Sequence, residues 1–176
     1  SLVGSEMCIR DSTIITIKNP YAWIVSRYSW SIYQKAAGSY LDEYAVGNVL
    51  VPDTWIDGLC HKYSKYYRGW LSKGKGVMVV RHEDILAIGI DAILNPIEEC
   101  LGIKRVEGVE LPTTEVIPVT CYSRKVHEYD SSYYTEHRYL DCLTPEQIDR
   151  ITELIDWSAL EDLYTSGVDN EKVSTY

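Results

Sequence analysis

The stretch Thr13–Trp30, TIITIKNPYAWIVSRYSW, constrains this chain more than any other. Thr13 to Ile17 is β-branched throughout, a residue type that is stiff at χ1 and fits a pleated surface better than a helix. A short apolar run of this kind, closed by Lys18-Asn19-Pro20, predicts a strand buried on both faces in a parallel sheet. Pro20 has the fixed φ and missing N–H that suit a first helical position. A helix is therefore expected from there to about Ala37, ended by Gly38. The cation Lys18 then stands at the strand's carboxyl end, beside a helix N-terminus. Open α/β sheets bind ligands beyond the carboxyl ends of their strands, and a helix N-terminus favours an anion. Ser26 shares a helix face with Trp23, Trp30 and Tyr33. Its hydroxyl either bonds a neighbouring carbonyl or faces a ligand.

The remaining elements follow from spacing and punctuation. Thr54 is placed to cap a second helix over Trp55–Ser72, with Trp55, Leu59, Tyr63, Tyr66 or Tyr67 and Trp70 at helical spacing. The run Ser72-Lys73-Gly74-Lys75-Gly76 is not a phosphate loop, because GxxxxGK[ST] is absent and a strand follows it. That strand is Val77–Arg81. His82-Glu83-Asp84 closes it, and a helical region runs from Ile85 to Leu101, interrupted or restarted at Pro96 and ended by Gly102. Val106 to Thr120, with Pro112 and Pro118, reads as irregular connection. Cys121 to Tyr139 is tyrosine-rich and carries Arg124, Lys125, His127, His137 and Arg138; it is a lid or binding loop, or equally a packed surface loop.

Thr144-Pro145-Glu146-Gln147 is a capping box with proline at the first helical position. Ile148, Ile151, Ile155, Leu160 and Leu163 make the buried stripe that follows, and Asp156 is placed to cap a second short helix. Val168 to Tyr176 is a polar, flexible tail. The order strand–helix–helix–strand–helix–helix is helix-rich α/β with a partial parallel sheet covered by helices.

Composition narrows the partners. A formal charge of −9 argues against non-specific nucleic-acid binding, yet leaves room for a local basic pocket. No apolar run approaches the roughly 20 residues that span a bilayer. The five cysteines are scattered, without CxxC or metal spacing. Their odd number points to reduced thiols in an intracellular setting, with the cytoplasm favoured. His61 is a base or acceptor contact, or an edge histidine satisfied by a neighbour. His82, His127 and His137 share no metal spacing, so no metal is expected. Fifteen Tyr and five Trp against no Phe suit a sugar or nucleotide cleft, or amphipathic aromatics at packed edges.

Residues 1–12, SLVGSEMCIRDS, resemble the translation of a transposase adapter used in sequencing libraries. They are set aside from the fold as an expected non-native segment, a native start at Met7 being the other reading. The strand at Thr13 is then expected to be internal, 13–168 to be the C-terminal part of a single domain, and 169–176 its tail.

Lys18-Asn19-Pro20-Tyr21-Ala22-Trp23-Ile24-Val25-Ser26 resembles the second donor-binding motif of the sulfotransferase family. In that motif a strand ends in Arg, Asn-Pro or Asp-Pro follows, and a helix carries a Ser. Further along, VMVVRHEDIL is similar to the family's later strand ending in Tyr-Glu-Asp-Leu, with His82 departing at the Tyr. Ile93 to Ile103 is similar to its helix ending in Leu-Gly-Ile. SSYYTEHRYLDCLTPEQIDRITELIDWSALEDL is similar to its C-terminal segment.

The resemblance implies a P-loop NTPase-like sulfotransferase domain. Such a domain moves a sulfuryl group from 3′-phosphoadenosine-5′-phosphosulfate to a hydroxyl or amine acceptor, a glycan or a phenol among them, without a metal. It implies that Lys18 and Ser26 bind the donor's 3′-phosphate, Lys18 keeping the charge of the family's Arg but not its bidentate fork. It implies that Arg124 and Lys125 close over the same phosphate, an ordinary solvated pair being the other reading. Glu83 and Asp84 are implied to be architectural.

Nothing here matches the family's 5′-phosphosulfate loop, so the chain is expected to be an inactive fragment of an active parent, and no catalytic residue is assigned. The two aromatic helices are expected to wall the acceptor cleft. The rival readings are a nucleotide-kinase-like enzyme and a non-catalytic glycan-binding α/β module.

Overall fold

The computed structural model describes residues 13–36, 49–73, 77–106, 108 and 132–164. Strand β1, Thr13–Ile17, pairs in parallel with β2, Val77–Arg81, in the register Thr13 opposite Val77 to Ile17 opposite Arg81. Parallel strands need a crossover connection. Here it contains two helices, α1 (Pro20–Ala36) and α2 (Asp53–Leu71). After β2 come α3 (His82–Ile88), α4 (Ile90–Leu101), α5 (Ser132–Thr135), a 3₁₀ turn at Arg138–Cys142, α6 (Pro145–Leu154) and a second 3₁₀ turn at Trp157–Ala159. Among the described residues this is helix-rich α/β with one two-stranded parallel sheet; the expected order of strands and longer helices holds, with α5 and the 3₁₀ turn at Arg138–Cys142 added before α6.

Three local expectations are corrected. Strand β1 is not buried on both faces: Ile15 and Ile17 point into the core, while Ile14 is 39% exposed and Thr16 is also exposed. An apolar run is compatible with either case, and here the core packs against the Ile15–Ile17 face. Helix α2 starts at Asp53, so Thr54 lies inside it, and Pro52 holds the cap position without a side-chain bond. The break after β2 falls at Gly89, not at Pro96. Gly89 has φ +83°, which L side chains rarely adopt, whereas Pro96 lies within α4. The C-terminal stop of α4 is as read: Gly102 is left-handed, with φ +63°.

The core gathers Tyr21, Ile24 and Val25 of α1, Ile56, Leu59 and Tyr63 of α2, and Ile151 of α6. Three of its tyrosines are buried with their hydroxyls bonded. Tyr21 Oη lies 2.7 Å from Thr152 Oγ1, and Tyr63 donates to the Lys18 carbonyl at 2.8 Å. Tyr164 donates to Glu83 Oε2, also at 2.8 Å. This is how a chain without Phe fills a core and still satisfies its polar tips.

The capping box forms as written. Thr144 Oγ1 accepts from the Gln147 N–H, and Gln147 Oε1 accepts from the Thr144 N–H. Buried Gln147 also donates to the Val51 carbonyl at 2.7 Å, and Val51 N–H donates to Cys142. Arg150 adds a two-pronged ion pair to Asp57, joining α6 to α2 at the surface. Asp156 precedes the last 3₁₀ turn as expected, but it takes a hydrogen bond from Ser158 Oγ and makes no side-chain cap bond.

Candidate functional site at the carboxyl edge of the sheet

Both strands end at the same edge: β1 leads through Lys18-Asn19 into α1, and β2 runs directly into α3. Lys18 comes off β1 half-buried. Its carbonyl is held by Tyr63, and its ammonium donates to Tyr134 Oη at 3.1 Å while standing 4.5 Å from the Tyr134 ring centroid. The phenol therefore meets the cation through both its oxygen and its π face.

Asn19 organises the turn. Its Oδ1 accepts from Tyr21 N–H at 3.0 Å, capping α1, and its own N–H donates to Glu83 Oε1 at 2.8 Å. Glu83 and Asp84 are 6% and 5% exposed. Glu83 spans the turn after β1 and the C-terminal Tyr164, and Asp84 faces Arg81 at 3.4 Å. Arg81, itself buried, donates to the Leu163 carbonyl at 2.9 Å. These acids are braces of the edge. One consequence corrects the simplest electrostatic expectation. The α1 N-terminus already has an intramolecular cap and a carboxylate beside it, so an added anion would rest on Lys18's side chain more than on the helix end.

His82 opens α3 beside this cation. Its ring stands 4.8 Å from that of Tyr134 in an edge-on arrangement, and its Nδ1 has no hydrogen-bond partner among the described residues. Burial first, and the Lys18 ammonium second, lower its pKa from the usual 6.5 to about 3, so the ring is neutral around pH 7. Lys18, His82 and Tyr134 thus converge from β1, α3 and α5. The group offers an ammonium, a phenol and an imidazole, which together suit an oxyanion.

The expected site residues are distributed unevenly. Ser26 sits half-buried in α1, and no hydrogen bond joins it to Lys18 among the described residues. Arg124, Lys125 and His127 lie outside the described residues. His61 is exposed on α2, and His137 Nδ1 is bonded to Tyr139 Oη at 2.8 Å. Cys60 and Cys142 are free and buried. Burial pushes the Cys60 thiol up to about 12 and also raises that of Cys142, which makes neither a ready nucleophile.

The aromatic faces of α1 and α2 are in part turned to each other: Trp23 packs edge-on against Tyr63 at 5.4 Å, and Tyr28 against Trp55 at 5.3 Å, while Trp30 and Tyr66 are exposed among the described residues. Among the described residues no three His, Cys, Asp or Glu side chains are grouped to hold a metal. No described helix is long and apolar enough to cross a membrane.

Tyr134 is the participant that the sequence did not single out. It lies in a run rich in tyrosines, with no motif or period to separate it from Tyr133 or Tyr139, and only the fold brings it to Lys18. Fold and site together define a helix-rich α/β protein with a cationic, aromatic cluster at the carboxyl edge of a parallel sheet. Compared with family models, with curated proteins and with solved structures, the chain gives no match.

Proposed function

We propose that this edge binds the 3′-phosphate of 3′-phosphoadenosine-5′-phosphosulfate, in a P-loop NTPase-like domain of the sulfotransferase type. The observation that carries the proposal is the position of Lys18. It is a cation at the carboxyl end of a parallel strand, immediately before a proline-started helix and beside the end of the neighbouring strand. In open α/β sheets this edge is where ligands collect. The sulfotransferase-like sequence around it supplies the ligand's identity. Ser26 is assigned as the second 3′-phosphate contact, and Arg124 and Lys125 as further contacts. The reaction served is sulfuryl transfer to a hydroxyl or amine acceptor, with the donor as co-substrate. Such transfer depends mainly on positioning and on electrostatic stabilisation of the oxyanions.

The packing of Trp23 on Tyr63 and of Tyr28 on Trp55 takes those four rings out of any glycan-binding surface on these helices. The test is calorimetric titration with adenosine 3′,5′-bisphosphate, the product left after sulfate transfer. Binding by the full chain, weakened in Lys18→Ala and in Ser26→Ala, supports the assignment. Binding that neither substitution alters rejects it.

A further inference from the structure

Resting on that reading, we propose that His82 and Tyr134 complete the anion site with Lys18, and that a doubly charged oxyanion binds there together with one proton taken up by His82. The argument begins with position. Three side chains from three separate segments meet at one edge: Lys18 Nζ on Tyr134 Oη at 3.1 Å, and the His82 ring on the Tyr134 ring at 4.8 Å. The Lys18 ammonium has further hydrogens to give beyond the one directed at Tyr134 Oη. His82 adds a ring nitrogen without a partner among the described residues.

The surrounding charges leave room for this coupling. Of the acids near His82, Glu83 is committed to Asn19 and Tyr164, and Asp84 to Arg81. On α4, Asp91 and Glu98 are held by Arg105. On the α5 side, Glu136 and Arg138 are exposed, with Arg138 donating to Ser132 Oγ. The charged group that acts on His82 is Lys18, and it disfavours the imidazolium while the site holds no anion. A dianion seated on Lys18 reverses the sign of the local charge. The imidazolium then becomes the favoured form, and the proton comes from solvent. The ligand class is a tetrahedral dianion, as a phosphate monoester or sulfate presents.

Inorganic sulfate is the direct probe, because it stays doubly charged across pH 5.5–8 and cannot contribute a titration of its own. Calorimetry in two buffers of different ionisation enthalpy counts the protons taken up. The expected result is uptake at pH 6.5 in the wild-type chain, with affinity falling as pH rises, by at most about tenfold per unit. His82→Gln and His82→Asn are expected to bind sulfate with neither uptake nor pH slope. Tyr134→Phe is expected to bind more weakly at every pH while keeping the uptake. No sulfate binding at pH 5.5, no uptake by the wild type, or uptake that survives both His82 substitutions overturns the proposal. A nucleotide titration on the same proteins separates the two assignments. Nucleotide affinity that depends on Lys18, without proton uptake on sulfate, overturns this inference and leaves the donor-site reading standing. Nucleotide affinity indifferent to Lys18 overturns that reading itself.

Discussion

The backbone N–H of Asn19 donates to Glu83 Oε1 at 2.8 Å, so the turn that leaves β1 is fastened to the start of the helix that follows β2. The same carboxylate receives the Tyr164 hydroxyl. One buried side chain thereby fixes the position of Lys18, the strand pair and the C-terminal segment. Removing it leaves a buried N–H and a buried hydroxyl without their acceptor. Glu83→Ala is expected to cost about 3–5 kcal/mol of stability. Urea unfolding measures this, and a loss below about 1 kcal/mol would show that the brace carries little.

His82 makes stability depend on pH in a defined direction. Its pKa is lowered to about 3 in the folded chain from an ordinary 6.5, so between those values the unfolded chain binds the extra proton. Stability from this group is therefore fully present above pH 6.5 and declines as pH falls. Between pH 6.5 and 5 the expected loss is about 1.6 kcal/mol, the slope approaching about 1.4 kcal/mol per unit once the unfolded imidazole is fully protonated. His82→Gln is expected to flatten that part of the profile, as read from urea midpoints across the range. An unchanged slope in the variant would assign the acid sensitivity to other groups.

Cys60 offers a chemical readout of the core. It is 1% exposed, and its thiol is raised to about 12, so the reactive thiolate is scarce at pH 8. Iodoacetamide is expected to leave Cys60 unmodified in the native chain and to alkylate it in urea. Peptide mass analysis locates the label, and rapid native labelling would contradict this packing of α2.

The α6 cap is a local contribution that tests separately. Thr144→Ala removes the acceptor for Gln147 N–H and is expected to cost about 1 kcal/mol. Gln147→Ala is expected to cost more, because the same side chain also holds Val51 ahead of α2. Thermal or urea unfolding of the two variants gives the order, and a reversed order would contradict the double role of Gln147.

Local signals were legible where a single stretch determines its own geometry. The β-branched run Thr13–Ile17, the Asn19-Pro20 helix start and the Thr144–Gln147 box were all readable, because each is decided by a residue's own backbone or by a partner a few positions away. The helix break was misplaced because proline is a conspicuous breaker, while Gly89 acts only through a left-handed φ that composition does not reveal. The two-sided burial of β1 was misread because an apolar run does not say how many layers will cover it. Periodicity shows that a helix face is aromatic but not what it meets: Trp23 and Tyr63 meet each other, while Tyr66 is exposed. At the candidate site, the place of Lys18 after the strand was legible from the sequence. Tyr134 was not, since it joins Lys18 only through long-range packing, and Glu83 and Asp84 were rightly read as architecture.

The central claim is that Lys18 holds the 3′-phosphate of an adenosine nucleotide. The direct measurement is a calorimetric comparison of adenosine 3′,5′-bisphosphate with adenosine 5′-monophosphate on the full chain and on Lys18→Ala. The account predicts that the bisphosphate binds more tightly than the monophosphate. It also predicts that Lys18→Ala loses about tenfold or more of that preference, the size of a charge-assisted contact of 1.5–3 kcal/mol. Equal binding of the two nucleotides, or a preference that Lys18→Ala leaves intact, would contradict it.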